Sequence, residues 1–209
     1  MGYLSTDKKK ITTKTFAEMK AAGEKVTMLT AYDFTTAGIL DAAGIDSILI
    51  GDSASNVMAG NADTLPITVD QMIYHARSVA RACKHAFVVC DMPFGSYQIS
   101  KEEAEAQKLI SDAIALDKAG VFAIVLEKVP AKLAAEVTRQ VKAVTIGIGA
   151  GNGCDGQVLV YADALGMTQG FKPKFLRHFA QVGEEMQKGV KAYIDAVKGT
   201  EYPSVEESY

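Results

Sequence analysis

Three acidic residues each follow a short run of apolar, β-prone residues. Asp52, Asp91 and Glu127 come after the runs SILIG, FVVC and AIVL, respectively. Such runs are typical of buried strands in a parallel sheet, whose C-terminal ends meet at one edge. Two carboxylates at that edge can bind a divalent metal ion such as Mg²⁺, and a third can act as a general base. The pattern predicts a single site that combines a metal ion with a carboxylate base.

Each acid also has a simpler explanation when it is taken alone. An aspartate after a strand often caps the following helix, and for Asp52 or Asp91 this is as good an explanation as metal binding. Glu127 precedes Lys128 and could form a surface salt bridge, which for an isolated glutamate is the better explanation. At the end of a buried strand, however, partial desolvation should raise the pKa of Glu127 toward that of a useful base.

Predicted strands and helices alternate along the chain around these three acids. Helices are predicted at 13–22, 35–43, 68–83, 101–119 (with Ser100 as N-cap) and 131–141, with helical stretches in 158–198. Strands are predicted at 25–30, 47–50, 87–90, 123–127 and 144–148, and a loop at 54–66. This alternation implies a parallel sheet, in an α/β barrel or a doubly wound fold. A full (β/α)8 barrel usually needs about 250 residues, so this chain is short for one.

The composition is that of an ordinary globular protein. Of the 209 residues, 48% are hydrophobic and 22% are charged, and the formal net charge is −3, which gives no support for nucleic-acid binding. The three cysteines have no CxxC spacing and are predicted to be reduced thiols of a cytoplasmic protein. No stretch approaches the roughly 20 apolar residues that span a bilayer.

Two further features of the sequence could contribute to a binding site. The glycine-rich run at 147–153 allows tight turns and could cradle an anion, but its GxGxG spacing does not match a dinucleotide-binding fingerprint. The three histidines, His75, His85 and His178, lack a metal-ligand partner four residues away and are predicted to be structural or exposed.

Seven longer segments resemble one enzyme family, ketopantoate hydroxymethyltransferase. They are MLTAYD (28–33), ILIGDS (48–53), TLPIT (64–68), YHARSVAR (74–81), DMPFGSY (91–97), FAIVLEKVP (122–130) and IGIGAGNGCDGQVLV (146–160). The resemblance implies a (β/α)8 TIM barrel of the phosphoenolpyruvate/pyruvate superfamily, assembled as a homo-oligomer, typically a decamer. It implies transfer of a hydroxymethyl group from 5,10-methylenetetrahydrofolate to 3-methyl-2-oxobutanoate, which gives 2-dehydropantoate for pantothenate synthesis.

The resemblance also assigns roles to individual residues. It implies that Asp52 and Asp91 bind Mg²⁺ and contact the substrate, that Ser53 contacts the substrate, and that Glu127 is the catalytic base. In the implied mechanism the metal ion polarises the ketone and stabilises the enolate that Glu127 generates by removing the proton from C3.

The chain departs from the family pattern after the DMPFGSY segment. About two βα units are absent near 98–101, and with them a lysine that contacts substrate, a glutamate at the metal and a histidine of the site. We therefore expect a single domain, 1–209, that is a barrel shortened by two units. A smaller departure is Ser55, Asn56 and Asn61, where the family usually has Gly-Met and a histidine.

Two other functions are compatible with these features. A Mg²⁺-dependent lyase or mutase of the same superfamily would share the aspartates at the strand ends, although the DMPFGSY and LE-x-VP segments argue against it. A non-catalytic or impaired homologue that keeps only a role in assembly is favoured by the missing segment.

Overall fold

The computed structural model describes residues 9–93, 106–168, 170 and 173–208. The α-helices are α1 (Thr13–Ala22), α2 (Phe34–Ala43), α3 (Ala54–Val57), α4 (Val69–Ala82), α5 (Ala106–Ala119), α6 (Ala131–Gln140), α7 (Tyr161–Ala164) and α8 (Val182–Lys198), and a 3₁₀ turn covers Val205–Glu207. The strands are β1 (Val26–Thr30), β2 (Ser47–Ile50), β3 (Phe87–Cys90), β4 (Ala123–Glu127), β5 (Val144–Ile148) and β6 (Gly156–Leu159). The start of the helix predicted at 101–119, and its N-cap Ser100, lie outside the described residues.

The chain divides into two compact units, 1–160 and 161–209. The first contains α1 to α6 and all six described strands. In the second, α7 and α8 are joined through backbone bonds from Phe179 to Ala164 and from Val182 to Leu165. Helix α8 buries none of its residues within the described chain, and Met186, Val190 and Ile194 on it are exposed. That the chain is a single domain stays a prediction.

The six strands are all parallel and lie in the order β3-β2-β1-β6-β5-β4. This is the order of strands around a barrel, interrupted between β3 and β4. Those are the two strands that flank the predicted deletion, so the sheet is open where the two βα units would stand. The predicted fold class, a parallel α/β barrel shortened by about two units, is confirmed.

The sheet curls around a core to which both of its ends contribute. Side chains from the inner face of all six strands form one apolar cluster: Val26, Met28, Leu49, Val144, Ile146 and Val158, with Phe87, Val89, Ala123 and Ile148 packed against them. Helix α1 closes the N-terminal end of this core by inserting Phe16 and Met19. The ring of Phe16 lies 5.4 Å from that of Phe87, which lies 5.3 Å from that of Phe122. These aromatic side chains join the starts of β3 and β4.

The helix boundaries follow from ordinary capping chemistry. Thr12 and Thr15 form a capping box at the start of α1, and Thr68 and Gln71 form another at α4. Helix α1 ends at Gly23, whose φ of 70° is left-handed and favours glycine. No helix in the described parts of the chain is both long and apolar enough to cross a membrane.

Two predictions about secondary structure were wrong. The segment 54–66, predicted as a loop, begins with the single helical turn α3, because the carbonyls of Gly51, Asp52 and Ser53 each accept a bond from the residue three positions on. Strand β6 was missed because GQVL contains only two apolar residues. Its position depends on tertiary packing: a Cβ on Gly156 would lie 2.5 Å from the Val26 carbonyl oxygen and 2.7 Å from Ile146 Cδ1.

Candidate active site at the C-terminal strand ends

Asp52 and Asp91 meet at the C-terminal ends of β2 and β3. The strands pair in register up to Ile50 and Cys90, and the Asp91 N–H continues the ladder by donating to the Ile50 carbonyl at 2.9 Å. The Asp52 N–H in turn donates to Asp91 Oδ2 at 3.2 Å. The Asp91 side chain is therefore held across the turn that carries Asp52, and the two predicted metal ligands are brought together.

The aspartate that caps a helix in this region is Asp33, not Asp52. Asp33, at the end of β1, accepts the Thr36 N–H at 2.8 Å and is the N-cap of α2. At the end of β2 the N-cap position of α3 is held by Ser53, which makes no capping bond with its side chain. Its Oγ lies instead 2.7 Å from the Tyr32 Oη, at the C-terminal ends of the strands.

Gly51 leaves open the space between these groups. A Cβ at this position would lie 2.7 Å from Ser53 Oγ and 3.6 Å from Asp91 Oδ2. A methyl group there would displace the hydroxyl and crowd the carboxylate. The glycine of the GDS segment is thus explained by the close approach of two functional side chains.

Glu127 lies close enough to add its charge to this pair. Burial raises the pKa of Asp91 above its ordinary value, the Asp52 N–H opposes that rise, and the negative charges of Asp52 and Glu127 add to it. Three carboxylates that share one region repel each other, and a bound cation would relieve that repulsion. In the described residues no group of three or more Asp, Glu, His or Cys side chains has the geometry of a metal site.

The expected desolvation of Glu127 is not found. Its side chain is 64% exposed and lies 3.7 Å from the Lys128 ammonium. The reason is its position on β4, a strand that is hydrogen-bonded only to β5 in the part of the chain that the structure describes. Lys128 itself has a left-handed φ of 51°, which is uncommon for a residue with a side chain.

The glycine-rich run after β5 has a packing role. Cβ atoms on Gly151 and Gly153 would lie 2.5 Å from Ala131 Cβ and 2.8 Å from Ala135 Cβ, so these glycines allow the loop to rest against α6. All three cysteines are free, as predicted. Burial and the nearby Asp41 charge raise the pKa of the Cys83 thiol to about 11, which makes it a poor nucleophile at neutral pH.

Sequence reasoning missed Tyr32 and His75 as parts of this region. Tyr32 lies two residues after the end of β1, and its position near a strand end was the available signal. His75 was assigned a structural or surface role, and its Nδ1 donates to the Tyr32 carbonyl at 2.7 Å. That bond agrees with a structural role.

Comparison with known proteins identifies the family. The family model described as ketopantoate hydroxymethyltransferase matches residues 10–106 and 100–205. The chain belongs to this family. It is 44% identical to 3-methyl-2-oxobutanoate hydroxymethyltransferase of Phocaeicola vulgatus over 271 positions, covering 100% of this chain and 99% of the relative. The enzyme of the same name from Christiangramia forsetii is 46% identical over 272 positions, with 100% of both chains covered.

These alignments also locate the missing segment. The 271 aligned positions exceed the 209 residues of this chain by 62. The two matches to the family model meet at 100–106, between β3 and β4. A βαβ unit takes about 30 residues or more, so 62 positions correspond to about two βα units.

Solved structures give a weaker likeness. A phosphonopyruvate hydrolase in complex with oxalate and Mg²⁺ has a TM-score of 0.40 and 13% identity, covering 93% of this chain and 92% of that one. A score at this level supports no argument about the site.

Proposed function

We propose that this chain transfers a hydroxymethyl group from 5,10-methylenetetrahydrofolate to 3-methyl-2-oxobutanoate, giving 2-dehydropantoate, with Mg²⁺ bound by Asp52 and Asp91. Family membership and the names of the relatives support hydroxymethyl transfer to 3-methyl-2-oxobutanoate, and the folate donor is implied by the family resemblance. The observation that carries the site assignment is the 3.2 Å bond from the Asp52 N–H to Asp91 Oδ2, with the charge of Glu127 close by.

The residues present fit a magnesium ion. Mg²⁺ commonly binds to one or two carboxylates and completes its shell with water and substrate oxygens, so it does not need a third protein ligand. The absent Cβ of Gly51 leaves room beside Asp91, and the repulsion among the three acids favours a cation. When bound, the ion supplies positive charge that polarises the 2-oxo group and makes the neighbouring C–H more acidic.

The protein side chains then bind the substrate and move one proton. Ser53 donates a hydrogen bond to the substrate carboxylate, and the Glu127 carboxylate accepts the proton from C3. The electron pair of the broken C–H bond forms the new C–C bond to the one-carbon unit. Both C–N bonds of the donor methylene group break, water supplies the hydroxyl group of the product, and the two folate nitrogens take up one proton from the water and one from Glu127.

An impaired homologue is the second candidate, and the exposure of Glu127 favours it. A base in contact with bulk water loses much of the advantage of a preorganised, water-excluding site. The wall that would cover it belongs to the segment that the relatives have and this chain lacks. In this case the metal and the 2-oxo acid still bind, and turnover is strongly reduced.

Formation of 2-dehydropantoate from the two substrates tests the proposal. We expect product with Mg²⁺, loss of product with a chelator, and recovery when Mg²⁺ is added back. Asp52→Asn should abolish the reaction, and Asp195→Asn, at an exposed position on α8, is the matched control. Metal-dependent binding of the 2-oxo acid without product would favour the impaired homologue, and consumption of the acid without folate would favour a lyase.

The proposal includes the cellular compartment and the oligomeric state of the enzyme. Three free cysteines fit the reducing cytoplasm, and the family resemblance suggests a homo-oligomer, typically a decamer. Light scattering coupled to size-exclusion chromatography would give the mass of the assembly, and a monomer would contradict this part.

A further inference from the structure

Tyr32 is buried directly behind the serine of the proposed site. It follows β1, its side chain is 1% exposed, and its Oη lies 2.7 Å from Ser53 Oγ. A buried phenol ring has few alternative positions, because moving it would open a cavity in the packing. The hydroxyl of Ser53, on a short turn, is therefore held by a rigid neighbour.

The backbone of Tyr32 is fixed in turn from two sides. The Ala31 N–H donates to the Leu49 carbonyl at 3.1 Å, which ties the end of β1 to β2. On the other side His75 Nδ1 lies 2.7 Å from the Tyr32 carbonyl oxygen. A carbonyl can only accept, so Nδ1 carries a proton and donates. The His75 ring also lies edge-on to the Tyr32 ring, with centroids 6.0 Å apart.

We propose that Tyr32 is a positioning residue for substrate binding: it donates to Ser53 Oγ and so directs the Ser53 hydroxyl proton toward the carboxylate of the 2-oxo acid. This inference rests on the proposed function, since it assigns a cause to the orientation of Ser53. A phenol is the more acidic of the two hydroxyls and hence the better donor. With its oxygen engaged by Tyr32, the serine keeps its own proton for an anionic acceptor.

The geometry of Gly51 supports a fixed rather than a freely turning hydroxyl. Ser53 Oγ lies in the space that a Cβ on Gly51 would need, 2.7 Å from that position. The oxygen is thus placed over the backbone of the turn, on the side where Asp91 also lies. Without Tyr32, rotation about the Ser53 Cα–Cβ bond would allow the hydroxyl to leave this position, and the substrate would have to order it on binding.

The test is a double-mutant cycle on substrate affinity. The dissociation constant of 3-methyl-2-oxobutanoate is measured by calorimetry with Mg²⁺ present, for wild type, Ser53→Ala, Tyr32→Phe and the double variant. We expect Ser53→Ala to weaken binding by about tenfold and Tyr32→Phe by about three- to tenfold. The double variant should match Ser53→Ala within about twofold, because the proposed effect of the Tyr32 hydroxyl on the substrate passes through Ser53. Tyr193→Phe, at an exposed tyrosine of α8, should change nothing.

Two results would overturn the inference alone: wild-type affinity in Tyr32→Phe, or losses that multiply in the double variant. A wild type that fails to bind the acid overturns the proposed function, and the inference with it. Should Tyr32→Phe not fold, His75 provides the second test. His75→Leu removes the bond to the Tyr32 carbonyl and should weaken binding, while His75→Gln, which can donate to the same oxygen, should restore it. Equal affinity of His75→Leu and wild type would overturn the inference by this route.

Discussion

Strands β2 and β4 carry two of the proposed functional acids in very different surroundings. All four residues of β2 are buried, and the strand is paired on both edges, with β1 and β3. Of the five residues of β4 only Leu126 is buried, and Val125, on the inward-facing side with Ala123, is 47% exposed. The comparison indicates that neighbouring strands on both edges exclude water from a strand of the barrel and hold its end in place. Asp52 therefore follows a strand that is paired on both edges, and Glu127 ends a strand that is exposed on one side in the part of the chain that the structure describes.

The largest effect should come from closing that margin. Inserting the two βα units of a relative near 98–101 should raise kcat/KM for 2-dehydropantoate formation by about 10²–10³-fold, because it covers Glu127 and returns the lysine and glutamate expected from the resemblance. A glycine/serine insert of equal length is the control. A chimera no faster than the native chain would show that the open side does not limit turnover.

Replacing Asp91, which follows β3, should lower the activity of the protein and raise its stability. Asp91→Asn should lower kcat/KM by about 10²–10³-fold while raising the Tm, because it removes a carboxylate whose pKa the fold raises. A raised pKa means that ionisation destabilises the fold at neutral pH, so the gain in Tm should shrink as the pH falls and the wild-type carboxyl becomes protonated. A lower Tm at neutral pH would contradict this reading.

Two aspartates bind backbone N–H groups near the N-terminal ends of the strands, away from the proposed site. They allow the stability around the fully paired strands to be compared with that around the open side of the sheet, next to β4. Asp41 of α2 is 4% exposed and accepts the backbone N–H groups of Lys84, His85 and Ala86, before β3. Asp117 of α5, on the open side, is partly exposed and accepts those of Lys142 and Ala143, before β5. We expect Asp41→Asn to cost about 2–3 kcal/mol of unfolding free energy and Asp117→Asn about 1 kcal/mol, as measured by urea denaturation. Equal losses of unfolding free energy in the two variants would mean that the open side of the sheet is as stable as the fully paired side.

The cost at Asp41 should depend on pH. Burial acts to raise the pKa of Asp41, but the three backbone N–H donors and the nearby His85 outweigh it, so the pKa lies below its ordinary value. The stabilisation is therefore present above the unfolded-state pKa of about 3.9 and is lost as the pH falls through the folded-state pKa. The gap between wild type and Asp41→Asn should close below about pH 4.

Replacing two valines on neighbouring strands should give the smallest change in stability, and the two substitutions remove the same chemical groups. Val144 of β5 is 1% exposed, and Val125 of the neighbouring β4 faces the open side. We expect Val144→Ala to cost about 2 kcal/mol and Val125→Ala less than about 0.7 kcal/mol, because only the first removes two fully buried methyl groups. Similar costs would show that Val125 is covered in solution.

Much of the fold could be predicted from local patterns, and the failures have physical causes. Runs of apolar, β-prone residues predicted β1 to β5. Most helix limits were also predictable, since capping residues such as Thr68 and Gly44 act through their immediate neighbours. Strand β6 depends on the close approach of Gly156 to Val26 and Ile146, which no local pattern records.

The site divides in the same way. The resemblance could supply the residue types of Asp52, Ser53, Asp91 and Glu127, and the alternation of strands could place them at one edge. Neither could supply the exposure of Glu127, because that depends on which strands stand beside β4. The contact of the Tyr32 hydroxyl with Ser53 and the bond of His75 to the Tyr32 carbonyl become visible only when the chain is folded.

The role of Glu127 as the base is tested most sharply by exchange of the C3 proton of 3-methyl-2-oxobutanoate in D₂O, which NMR monitors with Mg²⁺ present and folate absent. We expect exchange in the wild type and a loss of at least about 10²-fold in the exchange rate of Glu127→Gln, with substrate affinity unchanged within about twofold. Glu18→Gln, at a similarly exposed glutamate on α1, should exchange at the wild-type rate. Exchange in Glu127→Gln at the wild-type rate would contradict the role of Glu127 as the base.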